Sequence, residues 1–219
     1  MSNTSSIVVF SLSGFNATVN YRVTLFSLTL LSYCVILVVN VTLILTIILD
    51  EKLHEPMYMF IAFLSVNSLF GCTGFFPRFL IDLQSDTHLI SRPACFTQIY
   101  IIYSYALHEL AILSIMAYDR YVAVCDPLHY HSKVTPRTVC KLAAFAWICP
   151  AFSVAVCLYL AIRLPLCGNK IEKKYCAIWN IAKLSCVSTF INNIVGLVVI
   201  ATEVILPLIF VLYTYCDDR

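Results

Sequence analysis

Met116-Ala117-Tyr118-Asp119-Arg120-Tyr121-Val122-Ala123-Val124-Cys125 closes a long apolar run with an acid, an arginine and a tyrosine in succession. Charged groups at the edge of a hydrocarbon-length segment are costly unless they have partners or a task. Upstream, from Pro93 to Tyr118, only His108 and Glu109 interrupt the apolar character; downstream the chain continues Asp126-Pro127-Leu128-His129-Tyr130. The block therefore marks the place where a membrane-spanning helix meets water.

Composition agrees with that reading. Hydrophobic residues make up 61% of the 219 and charged residues 12%, against roughly 25% charged in soluble domains, and the mean hydropathy is +0.88. A net charge of +2 generates no field that would attract nucleic acid. Eleven cysteines carry two meanings, small apolar residues inside helices and oxidisable thiols in external loops.

A helix needs about 20 apolar residues to cross the hydrocarbon core with its backbone satisfied. Charge-poor runs of that length predict helices over about 23–49, 57–81, 93–121, 141–163 and 190–216, preceded by a tail over 1–22. The first run is too long for a signal-peptide core and follows a polar-leaning tail, so it is read as a retained helix. The last carries one acid, Glu203.

Orientation rests on two observations. Asn3-Thr4-Ser5 and Asn16-Ala17-Thr18 are glycosylation sequons in the tail, and Cys167, Cys176 and Cys186 crowd the loop between runs four and five; both suit an oxidising, external side. Asn3 and Asn16 are then outside, whereas the sequon at Asn40 is buried in the first run. The positive-inside count opposes this placement: Lys52, Arg120, Lys133, Arg137, Lys141 and Arg219 inside against Arg22, Arg78, Arg92, Arg163, Lys170, Lys173, Lys174 and Lys183 outside. The sequons and the cysteine loop outweigh it.

The Met116–Tyr130 block closely resembles the corresponding segment of olfactory receptors, a branch of the rhodopsin-like G-protein-coupled receptors. The likeness extends over nearly the whole chain. Asn40 lies in the first helix where such receptors keep an asparagine, and Leu53-His54-Glu55-Pro56-Met57-Tyr58 resembles their first inner loop. Cys95 stands at the family spacing before Arg120. Trp147 and Pro150 match the fourth helix, Pro207 and Tyr215 the fifth, and Lys183-Leu184-Ser185-Cys186 the close of the second outer loop. The resemblance implies an all-α membrane protein, namely helices 1–5 of a seven-transmembrane bundle with an extracellular N-terminus, in a multi-pass cell-membrane location.

It implies roles as well. Asp119, Arg120 and Tyr121, with Tyr215, would couple to a stimulatory heterotrimeric G protein. Arginine stays protonated with five donors in a planar fork, so Arg120 is expected to be held by Asp119 at rest and released to a partner helix. A small-molecule odorant would sit among Ile102, Tyr103, Ala106 and Leu107 of the third helix, Ala177 and Ile178 of the loop, and Val195, Val199 and Glu203 of the fifth. Glu203 is placed there because it lies one helical turn after Val199 on the face that usually lines the cavity, with a neutralised packing group as the alternative reading. Glu109 matches a glutamate that, in the family, is thought to act with a second-helix aspartate around a sodium ion. Ser68, with Asn67 beside it, occupies that aspartate position here, so Asn40, Ser68 and Glu109 form an ion or polar core site in which the alternatives to an ion are a protonated Glu109 or its hydrogen bond to His108 or Ser68.

Simpler readings stand beside these. Asn40 alone is an interhelical hydrogen bond, worth about 0.6 kcal/mol in membranes; Pro207 alone is a kink; the Asp119-Arg120-Tyr121 triplet alone is a snorkelling interfacial group. Cys95, Cys167, Cys176 and Cys186 permit three pairings, of which the resemblance implies Cys95–Cys176 and Cys167–Cys186. A zinc cluster is the rival for them, disfavoured because the loop holds no histidine.

No phosphate loop, nucleophile motif or paired-histidine zinc helix points to an enzyme, and no cofactor is implied. A transporter is the alternative class, but neither an internal repeat nor matched broken helices are present. The chain stops where a third inner loop is expected, so a fragment lacking helices 6 and 7 is anticipated. From that follows a further alternative: a non-signalling partner that associates with full-length receptors and is retained in the endoplasmic reticulum.

Overall fold

A computed structural model describes residues 9–13, 19–85, 87–173 and 175–217. The sequons at Asn3 and Asn16 lie outside the described residues, as does the side chain of Tyr215. Among the described residues, five helices are long and apolar enough to cross a membrane. They are α1 (Val19–Leu49), α2 (Pro56–Gln84), α3 (Arg92–Cys125), α4 (Pro136–Ile162) and α5, which is built of Phe190–Ile200, Ala201–Ile205 and Leu206–Asp217.

The boundaries follow from local chemistry. α2, α3 and α4 each begin with proline in the first turn, where its missing N–H is no loss and its fixed φ suits the helix. Ser91 caps α3 by accepting from the Ala94 N–H, and Thr135 caps α4 by accepting from Thr138. α3 stops at Cys125 because Asp126 precedes Pro127 and is pushed out of the helical region, to φ −139° and ψ 63°. Inside α5 the residues Ala201–Ile205 form a π turn. Pro207 follows directly: it has no N–H to give the carbonyl of Glu203, and its ring crowds that carbonyl, so the helix widens there.

α3 is the axis of the bundle. It packs on α2, α4 and the last segment of α5, while α1 packs on α2. Gly71 and Gly74 let α2 come close to α3, since a Cβ at either would overlap the Tyr105 ring or the Ile101 side chain. The inner half is built on Phe60, Ile112, Val122, Val134, Val139 and Ala146. The outer half holds Phe10, Ile90, Cys95, Phe96, Ile99, Ile171, Cys176 and Ile181.

The outer cluster contains an element that the expectation of a plain tail over 1–22 did not include. Residues Val9–Leu12 form strand β1, which lies between β2 (Leu89–Ser91) and β3 (Lys170–Ile171). Phe10 pairs with Ile90 in the antiparallel ladder, and Leu12 with Ile171 in the parallel one. Helix α1 likewise starts at Val19 rather than at 23. Beneath the sheet, disulfides join Cys95 to Cys176 and Cys167 to Cys186, with Cα separations of 5.5 and 5.3 Å.

Candidate functional site

A cavity of about 600 Å³ opens between α3, α4, α5 and the short loop helix Ile178–Lys183. Its floor and sides are Tyr103, Ala106, Leu107 and Leu110 of α3 with Val154 and Cys157 of α4; Ile178, Trp179 and Ala182 come from the loop. The roof is fixed from one side. Cys176 is fully buried, bonded covalently to the outer end of α3, and its N–H donates to Gln98 Oε1 at 3.2 Å. Ile178 follows two residues later, so the disulfide sets the height of the loop over the cavity.

Of the residues expected around a ligand, Tyr103, Ala106, Leu107, Ile178 and Val199 line this cavity; Ile102, Ala177, Val195 and Glu203 do not. The case of Glu203 has a specific cause. A regular helix would bring it under Val199, four residues back, but the π turn inserts an extra residue, and Val204 takes that place in the wall. Glu203 is rotated toward α4, where Ser153 Oγ donates to its Oε1. Asn192, Asn193 and Gly196 also line the cavity, and spacing would have found them: Asn192 and Gly196 precede Val199 and Ile200 at helical intervals.

At the inner end, Asp119 is almost wholly buried, and its Oδ1 accepts a 2.9 Å hydrogen bond from the Tyr130 hydroxyl. Tyr130 opens a single helical turn, Tyr130–Lys133. Burial, together with the bond to Asp119, pushes the Tyr130 hydroxyl up to about 12. The loop that presents it is clasped by Asp126, which accepts from Lys133 Nζ at 2.8 Å and meets His129 Nδ1 at 2.7 Å. Those two partners hold the Asp126 carboxyl down to about 2. Arg120 is exposed and lies against Met57 Sδ of α2 rather than against Asp119. Asp119 and Arg120 thus have separate partners, where holding of one by the other was expected. Tyr121 packs on the inner core cluster.

In the middle of the bundle, Asn67 is fully buried and its Nδ2 donates to Glu109 Oε2 at 2.9 Å and to the Tyr105 carbonyl at 3.0 Å. Glu109 is bonded neither by Ser68 nor by His108, whose Nε2 meets the Trp147 carbonyl at 3.0 Å. Ser68 follows Asn67 and so points about 100° further round α2. Asn40 spends its amide on the Ile36 carbonyl one turn back. Among the described residues no group of three His, Cys, Asp or Glu converges on a metal-sized site. With an amide donor already on Glu109 Oε2 and, among the described residues, no second carboxylate grouped with it, this set does not fit the sodium site that the resemblance implies.

The family model for olfactory receptors matches residues 28–217. The chain belongs to the olfactory receptor family. Among its relatives, olfactory receptor 1M1 of Mus musculus is 34% identical over 214 residues, covering 97% of this chain and 68% of that protein. Olfactory receptor 6N1 of Homo sapiens is also 34% identical over 214 residues, covering 97% and 69%; human olfactory receptor 4E1 is 35% identical over 195, covering 89% and 62%. The chain therefore spans about two thirds of the length of these relatives. Membership makes this olfactory receptor chain a multi-pass membrane protein of receptor rather than enzyme type.

Proposed function

We propose that this olfactory receptor chain binds a small apolar odorant in the cavity between α3, α4 and α5 and couples through its inner end to a stimulatory heterotrimeric G protein. The single observation that carries the reading is the cavity itself. Its 600 Å³ volume falls in the range of small-molecule sites, which are mostly apolar with a few polar anchors. Here the anchors are the Tyr103 hydroxyl and the Asn192 and Asn193 amides.

Coupling is assigned to Asp119, Arg120 and Tyr121 with Tyr130. The bond from Tyr130 to Asp119 ties the second inner loop to α3, which keeps Arg120 facing the cytoplasm. Leu128, 93% exposed at the loop tip, is an apolar anchor beside it for a partner surface.

The test joins residues 1–219 to the remaining C-terminal third of olfactory receptor 1M1 and reads cAMP in transfected cells against a panel of apolar odorants. A concentration-dependent rise is expected, lost when Ala106→Trp fills the cavity at unchanged surface level. A response that survives the filled cavity would place the odorant elsewhere.

A further inference from the structure

A second cavity, of about 460 Å³, lies nearer the inner end between α3, α4 and α5, with Leu107 as the wall it shares with the odorant cavity. Ala111, Ile115, Phe145, Pro150 and Phe210 make it largely apolar, and Glu203 is its one acid. The π turn that removes Glu203 from the odorant cavity is what delivers it here. One carboxyl oxygen takes the Ser153 hydroxyl; the other, Oε2, is buried with no donor. The Ser114 and Thr202 hydroxyls of the same wall are turned back onto Leu110 and Val198 carbonyls of their own helices, at 2.7 and 2.9 Å. An orphaned carboxyl oxygen in apolar surroundings is costly, and acids inside membrane spans are paired or functional.

We propose that this crevice is a second ligand site, for a lipophilic amine that arrives through the bilayer. Phe145, a lining residue within the membrane-spanning α4, is 65% exposed, so the mouth opens toward acyl chains rather than toward the outer solution. The ligand class follows from what the wall offers: one unfilled acceptor, which an ammonium N–H satisfies with a charge-assisted bond, and apolar side chains for the remainder. A carboxylate or phosphate headgroup would meet Glu203 with like charge. The site is independent of the odorant cavity, and neither reading requires the other.

The probe is a long-chain primary amine carrying a diazirine on its alkyl chain, applied to residues 1–219 in lipid nanodiscs and followed by peptide mapping. Labels are expected on α4 near Phe145 and on α5 near Phe210. Glu203→Gln should lower that labelling about tenfold, corresponding to one lost charge-assisted bond, and Ala111→Phe, which fills the crevice while sparing Glu203 and Ser153, should abolish it. Both variants must keep the Cys95–Cys176 pairing, which reports folding. Three results would overturn the assignment: unchanged labelling in the glutamine variant, equal labelling by the same chain ending in methyl, or labels confined to Tyr103 and Trp179 of the odorant cavity. Absence of any label above background would overturn it too.

Discussion

Asn67 on α2 donates one amide to two acceptors of α3, the Glu109 carboxyl and the Tyr105 carbonyl. It is the polar rivet of the α2–α3 contact, set just inward of the glycines that bring the two helices together. Asn67→Ala strands the Glu109 Oε2 and takes from the Tyr105 carbonyl its second donor, leaving that carbonyl its intrahelical bond, and with interhelical hydrogen bonds in membranes reaching about 1.7 kcal/mol and buried unsatisfied groups costing about 1–3 kcal/mol, a loss of about 1–2 kcal/mol is expected. Ser68→Ala should cost less than about 0.5 kcal/mol, as substitutions away from such contacts do. Thermal unfolding of the two variants in the same detergent separates them; equal losses would return the polar centre to Ser68.

That comparison shows what the sequence can and cannot reveal. Helix existence is legible, because five charge-poor runs of spanning length have few other physical solutions. Azimuth is not. Asn67 and Ser68 are neighbours, and choosing between them needs the rotation of α2 against α3, which Gly71 and Gly74 fix through contacts made only in the folded bundle. Which of its two readings Glu203 takes is hidden for a related reason: the 3.6-residue period holds only while the helix is regular, and Pro207 widens it. Strand β1 is four residues long and pairs with segments far away in the chain, so its local pattern is too short to announce it. Tyr130 stood in the quoted block, yet nothing in its spacing says that an inner-loop turn will fold back under Asp119.

The two disulfides should differ in weight. In the chain-entropy account the stabilisation grows with the loop closed, and the sequence separations are 81 for Cys95–Cys176 and 19 for Cys167–Cys186. Cys95→Ser is expected to cost about 4.5 kcal/mol and Cys167→Ser about 3 kcal/mol. Non-reducing peptide mapping should recover these two pairs, and the first variant should reach the cell surface less than the second. Recovery of a different pairing from correctly inserted protein would refute the arrangement.

The N-terminal tail should be glycosylated at Asn3, Asn16 or both. β1 lies against the disulfide-bonded loops, so the segment that carries the sequons starts on their oxidising side. Translation with microsomes followed by glycosidase should shift the band. Protease access to the tail from the cytosolic side would reverse the topology.

The inner loop should hold its shape over a wide pH range. Asp126 is depressed to about 2, so the carboxylate of its pair with Lys133 is present above the ordinary carboxylate range and is lost only as pH falls toward 2. Tyr130 is raised to about 12, so its donated bond is present below the ordinary phenol range and is lost only as pH climbs through 12. The Asp126–Lys133 and Tyr130–Asp119 contacts should therefore keep residues 130–134 protected from exchange between about pH 5 and 9, after correction for intrinsic rates. Salt should discriminate between the two contacts: at 1 M, where screening acts within about 3 Å, the exposed Asp126–Lys133 pair should loosen while Tyr130–Asp119, being buried, persists. Tyr130→Phe should raise exchange at every salt concentration. A loop already mobile at low salt would contradict the clasp.

Ligand preference should follow Val204 and not Glu203. The π turn puts Val204 beside Val199 in the odorant cavity and turns Glu203 away from it. In the protein completed with the last third of olfactory receptor 1M1, Val204→Phe removes volume from a 600 Å³ site and should shift the response toward shorter odorants, with one methylene of mismatch worth about 10–200-fold. Glu203→Gln should leave the order of odorants unchanged. Arg120→Ala should abolish the cAMP rise in both backgrounds while odorant binding is largely kept, because the guanidinium lies at the inner end, far from the cavity wall. Residues 1–219 expressed alone should bind odorant without a cAMP rise. The reverse pattern, odorant order changed by Glu203→Gln and indifferent to Val204→Phe, would mean that α5 turns regularly in the membrane and that its acid faces the odorant after all.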